Sequence, residues 1–176
     1  MDTVFSSNHA QWYRSHQGIR RMMTILLITT LLTAILVVLA YRTSFAVLLD
    51  LAQYAAIIGA VLCFAVVSMQ LWLMAGAMTI WKKLRSEGKH TAELKQLRRA
   101  IVNASAMTLL TLMLAVAATC IPFVMDIMKK LPEFGMFFAF MPFTLLLHRV
   151  NINRTCSRLT DSMIAAQRAA QRTMAA

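Results

Sequence analysis

The sequence predicts an all-α, polytopic membrane protein with about four hydrophobic helices and an amphipathic C-terminal helix. Three observations carry this. The chain of 176 residues is 59% hydrophobic, above the roughly 45–50% of soluble domains. Only 14% of its residues are charged, and these cluster between apolar runs. Those runs reach the length of about 18 residues or more that a hydrocarbon core of about 30 Å requires.

Residues 1–21 interleave Val4, Phe5, Trp12 and Tyr13 with Asn8, His9, Arg14 and His16, and close on Arg20-Arg21. Aromatic rings mixed with cations suit the headgroup layer. The segment therefore reads as an interfacial helix or as a flexible cytoplasmic stretch. The first span, about 22–41, has the uncharged centre ILLITTLLTAILVVLA. Its polar side chains, Thr24, Thr29, Thr30 and Thr33, can bond back to a carbonyl one turn earlier and so cost little to bury. The triplet VLA before Tyr41 resembles a signal-peptide cleavage site, but the apolar run outlasts the usual h-region of about 7–15 residues. An uncleaved helix is expected.

The next segment, Phe45 to Trp81, would measure about 55 Å as a helix, too long for one perpendicular crossing. Asp50 and Gln53 suggest that its first turns lie at the outer interface or against protein, so the span proper is about 54–81. Ala52, Ala56 and Ala60 recur every fourth residue, beside Ala55, Gly59 and Cys63 at the same spacing. Small residues so placed let helix backbones approach closely. Ala52, Ala56, Gly59 and Ala60 are the expected helix-packing residues, within the monomer ahead of an oligomer seam.

The sole strongly charged loop is KKLRSEGKHTAELKQLRR, residues 82–99. Gly88 breaks the helical pattern, Thr91 can cap the next helix, and Glu93 falls in its first turn. Leu94, Leu97 and Ile101 share a face, so a third helix begins ahead of its span, about 100–125. Asn103, Thr111, Ala115 and Thr119 give that helix a small or polar face, and Pro122 should bend or end it. Asp126, Lys129, Lys130, Pro132 and Glu133 form a short outer loop. The fourth span, about 134–148, is short and carries Pro142; it reads as a thin, kinked or re-entrant segment. The tail, 149–176, sets Leu159, Met163, Ala166, Ala170 and Met174 against Arg154, Arg158, Arg168 and Arg172. It suits the inner leaflet or a partner helix.

Charge fixes an expected orientation. Four spans place Arg14, Arg20 and Arg21, the seven cations of the elbow, and Arg149 with the four arginines after it on one side. Only Arg42, Lys129 and Lys130 remain for the other. Basic loops stay cytoplasmic, so both termini are expected inside. The net charge of +11 would suggest nucleic acid on a soluble fold with a basic face. Here the cations flank hydrophobic segments, so attraction to anionic lipid explains them and no direct nucleic-acid binding is expected.

Catalytic chemistry is not expected. His9, His16, His90 and His148 are scattered, and no P-loop, GxSxG or glycine-rich dinucleotide turn occurs. Cys63, Cys120 and Cys156 lack metal or redox spacing. Asp50 and Asp126 fall near span ends, while Gln70 and Asn103 are neutral, so a small channel or transporter subunit is a minor alternative. The surfaces offered to partners are the elbow (Lys82, Lys83, Arg85, Lys89, Lys95, Arg98 and Arg99), the Arg-rich tail and the small-residue stripe. Membrane lipid, other subunits or further copies of the chain are the expected partners. Bound phospholipid is the only ligand considered, with no metal and no cofactor.

An uncharged first span, a long Ala-rich helix, the elbow KKLRSEGKHTAELKQLRR and a second helix resemble small membrane proteins of bacterial conjugation machinery, in particular the TraQ-like proteins of type IVB conjugative systems. That resemblance implies a non-enzymatic structural component, in the bacterial inner membrane, of a secretion apparatus moving DNA–protein complexes between cells. Residues 45–125 also resemble conjugative pilins, two hydrophobic helices joined by a basic loop. By that likeness the elbow cations would face lipid or a filament lumen, and the alternative location is an extracellular pilus. The additional hydrophobic segments at both ends depart from the pilin pattern.

Overall fold

A computed structural model describes the backbone of residues 2–43, 46–87, 92–120 and 135–175, and the side chains of 11–40, 42–43, 47–87, 92–120 and 141–172. Among the described residues there are four helices and no strand: α1 (Asp2–Thr43), α2 (Ala46–Ser86), α3 (Ala92–Thr119) and α4 (Gly135–Ala175). Three stretches are long and apolar enough to cross a membrane: Gln11–Ala40, Val47–Ser86 and Ala92–Thr119. Their most apolar windows are only 28%, 33% and 28% buried, so most of that surface faces outward. Apolar surface so extensive is compatible with hydrocarbon and not with water. The chain is an all-α, polytopic membrane protein.

The helices outrun the spans. At 42 residues, α1 is about 63 Å long, roughly twice the thickness of a hydrocarbon core. Of the two expectations for the N-terminal segment, a helix or a flexible stretch, the backbone is helical from Asp2 and continues unbroken into the first span as α1. The segment expected as a fourth span and the tail, expected as separate elements, run together in the 41-residue α4, which continues through Pro142 and is not among the three stretches long and apolar enough to cross. Likewise α2 begins at Ala46, so Asp50 and Gln53 lie within it. Where chemistry does stop a helix, it does so in short steps. Ser86 Oγ and the Glu87 amide both donate to the Lys83 carbonyl at 2.7 and 3.2 Å. α3 closes on a tightened turn, Cys120 N–H to Ala117 O at 3.1 Å, just ahead of Pro122. Pro122 itself, the outer loop with Asp126, Lys129, Lys130, Pro132 and Glu133, and the elbow tip with Gly88, Lys89, His90 and Thr91 lie outside the described residues.

The helices contribute to two compact units, one of residues 21–67 and 110–150, the other of 1–20, 68–109 and 151–176. The first, the apolar unit, has a core of Val37, Ala52, Ala56, Ala60 and Ala118, with Leu36 and Met141 packed on it. Thr30 and Thr33 return their hydroxyls to the carbonyls of Leu26 and Thr29 at 2.7 and 2.9 Å, as expected of threonines in a lipid-crossing helix. Of the 28 exposed large hydrophobics among the described residues, 22 belong to this unit.

The second, the basic unit, holds 13 of the 18 Lys and Arg residues. Its interior is nonetheless apolar: Ile19, Leu73, Leu97, Ile152, Leu159 and Met163 are almost fully buried. Trp12, expected at the headgroup layer, is buried here too, with its Nε1 and the Met163 methyl set against Gly76. The tail face Leu159, Met163, Ala166 and Ala170 is buried as well. It packs within the chain, where a leaflet or a partner helix was expected; Met174 lies outside the described side chains.

Candidate functional site

The cations of the elbow sit where two amphipathic helix ends place them. At the end of α2, Leu84 is buried while Lys82, Lys83 and Arg85 are exposed. The Arg85 guanidinium lies 5.1 Å from the centre of the Trp81 ring, a cation–π contact that holds the charge beside an amphipathic aromatic. In the first turns of α3, Leu94 and Leu97 are buried, which turns Lys95, Arg98 and Arg99 outward. Six of the seven predicted cations are thus displayed on the basic unit; Lys89 is outside the described residues. Arg99 borders a polar groove between α3 and α4.

The small-residue stripe is internal. Ala52, Ala56 and Ala60 form the core of the apolar unit with Val37 and Ala118. A methyl at Gly59 would stand 3.9 Å from Leu26 Cδ1 and 4.0 Å from Thr29 Oγ1, so α1 and α2 pack here at van der Waals distance. The expected polar face of α3 divides: Thr111 and Ala115 are buried, Asn103 and Thr119 exposed. Steps of four residues drift by about 40° each at 3.6 residues per turn, so Asn103 and Thr119 end on different sides of the helix.

One buried polar contact in the apolar unit escaped the sequence reading. His148, on α4, shares a 3.0 Å hydrogen bond through Nε2 with Thr111 Oγ1 on α3. Both side chains are buried, and His148 Nδ1 has no hydrogen-bond partner. The pair is separated by 37 positions, and no spacing rule connects such residues. A histidine at the end of an apolar run was the available signal.

No group of three or more His, Cys, Asp or Glu able to hold a metal occurs among the described residues. Cys63 and Cys156 are buried and Cys120 is exposed, all three as free thiols. Burial pushes the Cys156 thiol up to about 11, which suits packing and not nucleophilic attack.

The chain matches no protein-family model, no curated protein and no solved structure.

Proposed function

We propose that the chain is a non-enzymatic structural subunit of a bacterial membrane-embedded transfer apparatus of the conjugative, type IV secretion kind. In this reading it lies in the inner membrane with both termini and the elbow on the cytoplasmic side. The observation that carries the reading is the partition of surface chemistry. The apolar unit bears most of the exposed large hydrophobics, and the basic unit bears most of the cations. A protein with a lipid-compatible half and a folded, cation-rich helical half is equipped to anchor and to assemble.

The apolar core favours this over a filament subunit built from residues 45–125. Val37 of α1 and Met141 of α4 pack with the α2 alanines, and a two-helix hairpin would leave that packing uncovered. Mild solubilisation followed by affinity purification of the full chain tests the proposal. Recovery in a stoichiometric complex with other membrane subunits or copies is expected. A lone monomer in every detergent, or recovery mainly in sheared extracellular pili, would overturn it.

A further inference from the structure

The basic unit contains a polar groove of about 290 Å³ between α3 and α4. Gln96, Arg99 and Asn103 line it from α3; Thr155, Arg158 and Asp161 line it from α4. From these residues we infer a binding site for a phosphate ester that carries its own ammonium group, the phosphoethanolamine class.

The groups in the groove are held ready and unspent. Neither the Arg99 nor the Arg158 guanidinium has a hydrogen-bond or ion-pair partner among the described residues; the Arg158 carbonyl accepts from Ser162 Oγ at 2.7 Å. Asp161, on the same wall as Arg158, accepts only from Ser157 Oγ, at 3.4 Å, among the described residues. Opposite charges three residues apart on a helix ordinarily find each other; here they stay separate. Thr155 stands out in the same way. On the same helix Thr144 and Thr160 give their hydroxyls to the carbonyls of Met141 and Cys156 at 2.8 and 2.9 Å. The Thr155 hydroxyl has no such partner among the described residues.

Two guanidinium groups, amides and a hydroxyl match the oxygens of a phosphate, and arginine forks are suited to it. The carboxylate of Asp161 is unfavourable to a bare phosphate and favourable to an ammonium. A ligand bearing both charges satisfies the two arginines and the carboxylate together. The volume, close to the lower end of small-molecule sites at about 300 Å³, exceeds what one phosphate fills and leaves room for a short amine arm. The same chemistry is offered by a phosphatidylethanolamine headgroup and by a free phosphate ester. The inference is independent of the subunit reading.

The full chain, purified in phosphate-free maltoside detergent, is titrated calorimetrically with O-phosphoethanolamine, with inorganic phosphate, and with short-chain phosphatidylethanolamine in mixed micelles. The amine esters should bind, and inorganic phosphate should bind about tenfold more weakly or worse. Arg99→Gln and Arg158→Gln should each cost about tenfold in affinity. Arg158→Lys should cost less, and Asp161→Asn should erase the preference over inorganic phosphate. Arg168→Gln, exposed on α4 and not among the residues that line the groove, should change nothing. Tighter binding of the lipid assigns the headgroup; equal binding assigns the soluble ester. Failure of both esters to bind, equal affinity for inorganic phosphate, or binding that survives Arg99→Gln with Arg158→Gln at unchanged helicity would overturn the assignment.

Discussion

Buried polar atoms set the residue-scale expectations. Replacing Thr111 with Val leaves His148 with neither ring nitrogen paired inside an apolar unit. An orphaned buried group costs about 1–3 kcal/mol, and interhelical hydrogen bonds in membranes about 0.6–1.7 kcal/mol. Thr111→Val should therefore destabilise the chain by about 1 kcal/mol or more. Thr111→Val combined with His148→Leu should lose less than the sum of the two, as read by thermal unfolding in detergent. Cys156 gives a pH test. Its folded value is raised from 9.0 to about 11, so its share of stability is complete below about pH 9 and is lost as pH rises towards 11. The unfolding temperature should fall across that window, and less so in Cys156→Ala. At pH 8 a thiol reagent should modify Cys120 and spare Cys156 until the chain is unfolded. The back-bonded threonines were readable in the sequence because their partners lie within one turn. The His148–Thr111 bond was not, because only the tertiary fold brings α3 and α4 together there.

Among the helices, packing of small residues is the sharpest expectation. Gly59→Leu or Ala56→Leu forces extra methylenes into the α1–α2 contact and should cost about 1–3 kcal/mol. Ala75→Leu, on an exposed face of α2, should cost almost nothing; circular dichroism melts compare the three. The stripe of Ala52, Ala56, Gly59 and Ala60 was legible because close packing in lipid demands small residues at that period. Helix ends were less legible. A span ends where hydropathy changes, but a helix ends only where the backbone is interrupted, and Arg20, Asp50 and Arg149 interrupt nothing. The segments before the first span and after the fourth thus became parts of α1 and α4. The amphipathic face of the tail was readable, but its occupant was not. Burial of Leu159 and Met163 looks the same from sequence whether the cover is lipid, a partner or the chain itself.

For the molecule as a whole, the legible feature was its membrane character, because long apolar runs announce themselves without any tertiary contact. The division into an apolar and a basic unit runs across the helices and has no sequence boundary, so it was not readable. The elbow cations should attract anionic bilayers by about 1 kcal/mol each near the surface. A variant with Lys82, Lys83, Arg85, Lys95, Arg98 and Arg99 changed to Gln should therefore lose affinity for phosphatidylglycerol-containing nanodisc surfaces. Raising salt should weaken the wild-type attraction towards that of the variant. Threading is settled by cysteine labelling of intact cells with a membrane-impermeant maleimide. Arg42→Cys and Lys83→Cys are each introduced with Cys120→Ser, the buried Cys63 and Cys156 staying silent. With the basic segments cytoplasmic, Arg42→Cys labels in intact cells and Lys83→Cys labels only after permeabilisation. Labelling of Lys83→Cys in intact cells would contradict the orientation on which the proposed role rests.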